Sequence, residues 1–239
     1  AAPPELTRAA RARAPRRRKV RFQGFQAGDF NPEIEGTTNW RTKAGLAGWL
    51  AESLTDHLGL DVASWAPGRQ RTGYLTQPDL ATKEREADSA YYFMTCALDG
   101  LTYGLRVRRP ADNPEGASSL DRLLGALSDD EQLTSTLEAL LLAGTLELTW
   151  YSEVAGPEAR ERVRGDGNSL IVQHGTVTDA DTPEALLERL QRAPADQGLW
   201  LTIETGLDAQ DALDAGQPLA QTILETMIAL GPFFAACVG

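Results

Sequence analysis

The sequence predicts an α+β fold in which a mostly antiparallel or mixed sheet packs against several amphipathic helices. β-Prone runs at 90–98 and 101–109 flank Asp99-Gly100, a dipeptide typical of a tight hairpin turn. Leucine-rich segments with helical spacing lie on both sides of this hairpin. Strands and helices do not alternate regularly, so a doubly wound parallel sheet is not expected.

Residues 1–21 are predicted to form a basic N-terminal arm. They contain eight Arg and Lys residues and one Glu, whereas residues 22–239 contain fifteen basic and thirty-three acidic residues. These counts give charges of +7 and −18, which together make the net charge of −11. Like charges in a segment rich in Ala, Pro and Arg favour a flexible chain. Residues 22–239 are numerous enough to bury a core and are predicted to be one acidic domain.

The first helix is predicted from about Arg41 to Leu58, because apolar side chains from Leu46 onward recur on one face. Gly59 is expected to end this helix. Gly45 and other glycines within this segment weaken its helical propensity, since each costs roughly 1 kcal/mol in a helix interior.

The hairpin comes next along the chain. A two-residue type I′ turn at Asp99-Gly100 would pair Leu98 with Leu101, and this pairing sets the register of both strands. One face of the hairpin is then apolar. The opposite face carries two aromatic rings and two guanidinium groups, those of Tyr91, Phe93, Arg106 and Arg108.

The remaining elements are predicted from caps and periodicity. Ser128 opens a capping-box pattern, and Thr182-Pro183 is typical of a helix start. In chain order we expect a helix from Ser118 or Ser119 to Leu127, a helix from Ser128 to Leu142, strands at 145–154 and 169–178, a helix at 182–190, a strand at 199–205, and a last helix that Pro218 opens and Gly231 ends.

Several function classes lack their sequence signatures. Neither a phosphate-binding glycine loop nor a nucleophile elbow occurs, and the two Cys and two His residues are too scattered for a structural zinc site. We therefore expect no metal and no cofactor. Cys96 and Cys237 are predicted to be buried, reduced thiols. Because no apolar stretch follows the basic start and no apolar tract is long enough to span a bilayer, we expect a cytoplasmic protein without membrane contact.

Candidate catalytic residues are few. Glu147 and Glu204 lie in two predicted strands, and their carboxylates converge only if those strands are neighbours in the right register. An exposed polar sheet face explains both residues more simply. His174 is in phase with Leu170 and Val172, which predicts a half-buried ring. An enzyme with a carboxylate-based site is therefore the third functional hypothesis.

The leading hypothesis is a non-enzymatic, nucleic-acid-associated accessory module. Aromatic rings stack on bases and arginines bind phosphates, so the second face of the hairpin resembles a surface for single-stranded nucleic acid. The arm would add salt-sensitive attraction to single- or double-stranded nucleic acid. Its basic cluster is Arg16, Arg17, Arg18 and Lys19. Two observations oppose this hypothesis: such cross-strand pairs also stabilise hairpins that bind nothing, and an acidic body repels phosphate.

The alternative hypothesis is a protein-interaction or regulatory module. In this case the acidic body docks a basic partner protein, while the arm docks an acidic partner or the body itself.

Overall fold

The structure is a computed structural model that describes residues 22–31, 33–34, 38–66, 71–80, 90–111, 118–174, 177–192 and 198–238. The basic cluster predicted to bind nucleic acid, Arg16 to Lys19, lies outside these residues.

The described residues contain nine strands and eight α-helices. The strands are β1 (Ala63–Trp65), β2 (Thr72–Thr76), β3 (Tyr91–Ala97), β4 (Gly100–Arg109), β5 (Glu147–Ser152), β6 (Glu161–Gly165), β7 (Leu170–His174), β8 (Val177–Asp181) and β9 (Leu199–Asp208). The helices are α1 (Ala27–Phe30), α2 (Leu46–Leu58), α3 (Ser119–Asp129), α4 (Glu131–Leu142), α5 (Pro183–Gln191), α6 (Ala209–Ala215), α7 (Leu219–Ala229) and α8 (Gly231–Val238).

All nine strands form one antiparallel sheet in the order β1-β2-β3-β4-β9-β5-β6-β7-β8. The last strand of the chain, β9, therefore lies between β4 and β5. It joins a meander of four strands on one side to a meander of four strands on the other. The predicted α+β class with an antiparallel sheet is confirmed.

The predicted hairpin is present, but its predicted register is wrong by two residues. Ala97 pairs with Gly100, which leaves Leu98 and Asp99 as the loop residues. A Cβ atom on Gly100 would lie 2.1 Å from the carbonyl oxygen of Leu207 on β9. This glycine therefore permits the close approach of β9, and it does not serve a type I′ turn. Because the shift is an even number of residues, every side chain stays on its predicted face.

The two faces of the sheet differ in what they pack against. One face carries the main core, to which each of the eight helices contributes at least one buried side chain. A second, smaller cluster lies on the opposite face and contains Tyr74, Tyr91 and Phe93, with Trp65 and Trp200 packed against them. Within the described residues, every member of this second cluster belongs to a strand. We call this second surface the helix-free face.

Two helix starts differ from their predicted positions. α2 begins at Leu46 instead of about Arg41, after a short 3-10 turn at Thr38–Arg41. The cap of α4 is Asp130, whose Oδ1 accepts hydrogen bonds from two backbone N–H groups of the first turn. The predicted cap, Ser128, instead lies in the last turn of α3 and donates to the carbonyl oxygen of Leu124. Asp130 is a better N-cap than Ser128 because its carboxylate accepts hydrogen bonds and also interacts favourably with the helix dipole.

Several observed strands and helices differ from the predicted ones. The strand predicted at 169–178 is two strands, β7 and β8, which pair with each other. β1, β2 and β6 were not predicted, because each is short and lacks a long apolar alternation. Gly231 was expected to end the last helix, but α8 begins there. Cys96 and Cys237 are both buried and are not linked to each other.

No single helix in the described part of the chain is long and apolar enough to cross a membrane. α7 and α8 meet the length and composition criteria only when taken together, as a pair bent by 52°. Both helices place side chains in the main core.

Candidate interaction surface on the helix-free face

The register brings the four predicted hairpin residues together on the helix-free face. Tyr91 lies directly opposite Arg106 on β4, and Arg108 lies opposite Trp200 on β9. The guanidinium carbon of Arg106 is 4.3 Å from the centroid of the Phe93 ring. That of Arg108 is 4.9 Å from the Trp200 ring, so both arginines make cation–π contacts with this face.

The two predicted stacking rings are buried. The exposed fraction is 4% for Tyr91 and 1% for Phe93. A nucleic-acid base needs a free ring face for stacking, and neither side chain presents one in this structure. The expected arrangement, in which bases stack on these two rings, is therefore not supported by their burial.

Three aromatic residues outside the predicted hairpin complete this surface. They are Trp65 on β1, Tyr74 on β2 and Trp200 on β9. The ring centroids of Trp65 and Tyr74 are 5.6 Å apart, and those of Tyr74 and Tyr91 are 5.0 Å apart in an edge-to-face arrangement. Trp65 and Trp200 keep part of their surface exposed. The alternation of Leu199, Leu201 and Ile203 in β9 was a signal that Trp200 points away from the main core.

Polar contacts orient the two arginines. Arg108 forms an ion pair with Glu153, and both side chains are only about one-fifth exposed, at 19% and 22%. Nε of Arg106 donates to the hydroxyl oxygen of Thr202 at 3.4 Å. A guanidinium held in one orientation loses less conformational entropy when it binds a further group.

The two candidate carboxylates meet on this same face. β5 and β9 are neighbours, and Glu147 lies directly opposite Glu204. Nε of Arg162 is 3.3 Å from a carboxylate oxygen of Glu147. Burial raises the pKa of Glu204 and the Glu147 charge adds to this shift, whereas Arg106, Arg160 and Arg162 oppose it. Like charges on directly opposed strands are tolerated here because arginines surround the pair.

The carboxylate pair belongs to a charged surface and does not line an enclosed pocket. A shallow depression of about 290 Å³ lies close to it and is lined by Arg160, Arg162 and Gln173, among others. Glu147 and Glu204 line neither this depression nor the larger cleft beside α5.

His174 lies away from the carboxylate pair. Its side chain is 64% exposed, more than the half-buried ring that the sequence predicts, and it is on the helix-facing side of β7 with Leu170 and Val172. Among the described residues, no group of three or more His, Cys, Asp or Glu side chains is arranged to hold a metal ion.

No protein-family model matches this sequence, and no curated protein matches it significantly. The functional proposal therefore rests on the geometry of the helix-free face.

Proposed function

We propose that the protein is a non-enzymatic docking module that binds a partner protein on its helix-free face. The observation that carries this proposal is the set of partly exposed tryptophans and oriented arginines on a sheet face to which no described helix contributes. Trp, Tyr and Arg are the side chains that most often dominate the binding energy of protein interfaces. Tyr151 extends the surface, since it lies opposite Trp200 on β5 and is partly exposed.

The charge of this surface indicates the chemistry of the partner. The body of the protein has a charge of −18, but five arginines lie on or beside the helix-free face, where they alternate with five acids. The arginines are Arg106, Arg108, Arg160, Arg162 and Arg164, and the acids are Glu147, Glu153, Glu158, Glu204 and Asp208. A partner segment that combines carboxylates with apolar side chains complements this surface.

A protein partner fits this face better than a nucleic acid does. Tyr91 and Phe93 are buried and cannot stack on bases, so only the partly exposed Trp65, Tyr151 and Trp200 offer ring surface there. The carboxylates of Glu147, Glu153 and Glu204 lie between the arginines and repel phosphate groups. A folded protein segment can place one carboxylate at each arginine and avoid the acids, whereas a polyphosphate chain cannot.

Selection from a phage-displayed random peptide library against the full chain tests this proposal. We expect the enriched peptides to contain both acidic and large apolar residues. Their affinity should fall at least tenfold for the double variant Arg160→Glu/Arg164→Glu, in which both original side chains are exposed. The matched control is Lys43→Glu/Arg192→Glu, which makes the same charge change at two exposed positions outside this face.

Two outcomes contradict the proposal. In one, the enriched peptides bind both double variants with equal affinity. In the other, a 20-nucleotide single-stranded DNA or RNA binds the wild-type chain at physiological salt and is lost in the Arg160→Glu/Arg164→Glu variant. The second outcome would favour the nucleic-acid hypothesis for the same surface.

A further inference from the structure

The helix-facing side of the sheet changes chemical character at one row of residues. Val163 on β6 pairs with Val172 on β7, and both are buried in the main core. Two residues away on the same face, Glu161 pairs with His174 and also with Trp150 on β5. The fold thus places a carboxylate and an imidazole at positions where the neighbouring rows are apolar. Glu161 is partly buried and already pairs with Arg189 and His174, whereas the His174 side chain is largely exposed at the end of its strand.

A cleft lies over this polar row. α5 packs into the main core through Leu186 and Leu190, but its last turn and the row below leave a space of about 500 Å³ between them. This volume is within the range of small-molecule binding sites. The lining includes Trp150, Ser152, His174, Ala185, Arg189 and Leu199.

The ion pairs of the cleft differ in how exposed, and therefore how weak, they are. The Glu161 carboxylate is 3.3 Å from Nη1 of Arg189 and 3.6 Å from Nδ1 of His174, and its side chain is only 21% exposed. Arg192 is different, because its ion pair is with Glu188 at 3.0 Å, and the two side chains are 76% and 64% exposed. Exposed pairs at this spacing contribute only about 0.3–0.5 kcal/mol. Arg192 can therefore exchange Glu188 for an incoming anion at little cost.

Apart from the charged groups, which include the Glu161 and Glu188 carboxylates, and the hydroxyls of Tyr151 and Ser152, the lining is apolar. Trp150 and Leu199 are 5% and 2% exposed, and they form the floor of the cleft. Alanines at 155, 159 and 185 leave room above this floor. A flat apolar group fits between this floor and the alanines better than a branched one does.

We propose that this cleft binds a small organic anion, a planar apolar body that carries one carboxylate or phosphate group. The anionic group binds Arg192 at the rim, and the planar body lies in the space left by the small side chains of Ala155, Ala159 and Ala185. His174 is placed to contribute a second contact to the anion, while Arg189 and Glu161 hold the wall of the cleft in place. This site lies on the helix-facing side of the sheet and shares only Tyr151 with the residues assigned to the docking surface, so the inference does not rest on the proposed function.

Isothermal titration calorimetry on the full chain tests this inference with three matched probes: naphthalene-2-carboxylate, 2-naphthyl phosphate and the uncharged 2-naphthalenemethanol. We expect both anions to bind more tightly than the alcohol. Arg192→Gln should weaken anion binding about tenfold and leave binding of the alcohol unchanged. Ala185→Phe should weaken all three probes because it fills the cleft, and Arg164→Gln on the helix-free face serves as the control with unchanged affinity.

The tighter of the two anions assigns the ligand class as carboxylate or phosphate. The inference is overturned if neither anion binds at millimolar concentration, if the alcohol binds as tightly as the anions, or if Arg192→Gln has wild-type affinity. Melting temperatures of the variants show whether a loss of binding reflects a loss of folding. Arg192 is exposed, so its substitution is expected to leave the melting temperature unchanged.

Discussion

The residues of the helix-free face show how far side-chain placement follows from local sequence. Alternation along β3 and β4 was sufficient to place Tyr91, Phe93, Arg106 and Arg108 on one face, because strand side chains alternate with a period of two. Their burial was not predictable. It involves Tyr74 on β2 and tryptophans on β1 and β9, and no local pattern shows that these strands lie nearby.

The carboxylates illustrate the same limit. The sequence indicated that Glu147 and Glu204 would converge if their strands were neighbours, and the insertion of β9 beside β5 meets that condition. The arginines around the pair could not be identified beforehand, since their positions depend on the order of the strands in the sheet.

The pH dependence of stability tests the environment of Glu204. Its pKa is raised in the folded state by burial, so its contribution to stability is largest below the ordinary glutamate pKa and decreases as the pH rises through the raised value. Glu204→Gln cannot ionise. We therefore expect the free energy of unfolding of the variant, relative to wild type, to increase in urea denaturation as the pH rises above 4.5, the ordinary glutamate pKa. A trend of the opposite sign for Glu204→Gln would contradict the assigned environment.

At the scale of elements, the contact between β4 and β9 is the centre of the sheet. Each strand has ten residues, and all ten pairs between them are formed. The sequence indicated both strands but not their pairing, because 89 residues separate the end of β4 from the start of β9. The two-residue error in the hairpin register has the same origin, since Gly100 serves this contact and not the turn.

Gly104 provides a test of the β4–β9 contact. A Cβ atom at this position would lie 2.0 Å from the carbonyl oxygen of Ile203 and 2.8 Å from the Cα atom of Glu204. Gly104→Ala should therefore separate the strands and lower the free energy of unfolding by about 2 kcal/mol or more. The matched control is Gly125→Ala in α3, where no atom lies within 4 Å and helix propensity should raise stability by up to about 1 kcal/mol. Equal effects of the two substitutions would contradict the observed packing.

The start of α4 provides a second test at this scale. Asp130 accepts the hydrogen bonds of two free N–H groups, so Asp130→Ala should lower the free energy of unfolding by roughly 1 kcal/mol. Ser128→Ala removes a hydroxyl that donates to Leu124 within α3 and accepts from the exposed Nε2 of Gln191, and it should have a smaller effect. Chemical denaturation of both variants tests the position of the cap. A larger loss in free energy of unfolding for Ser128→Ala than for Asp130→Ala would favour the predicted cap at Ser128.

At the scale of the whole molecule, the single sheet separates two surfaces with different chemistry. The helices cover one side and leave a cleft beside α5, while the other side carries the aromatic rings and arginines. The composition predicted the fold class and the acidic charge of the body. It did not predict that cations collect on one face, because this distribution depends on strand order.

The charge distribution also limits nucleic-acid binding. We expect the full chain to bind single-stranded DNA only weakly, at low salt, and through the basic cluster, because the body has a charge of −18. Replacing the four residues of that cluster, Arg16, Arg17, Arg18 and Lys19, with Gln should abolish this binding in fluorescence anisotropy. Arg160→Gln/Arg164→Gln should leave it unchanged. Binding that persists at physiological salt in the arm variant would show that the body itself recognises nucleic acid.

The most direct test of the docking proposal is site-specific photo-cross-linking in cells of the native host. A benzophenone amino acid replaces Gln173, an exposed residue beside Arg162 on the helix-free face, or Gln132, an exposed residue at the start of α4. The proposal predicts one discrete protein adduct from position 173, its loss in the Arg160→Glu/Arg164→Glu variant, and no corresponding adduct from position 132. Equal cross-linking from both positions, or adducts from position 173 that contain only nucleic acid, would contradict it.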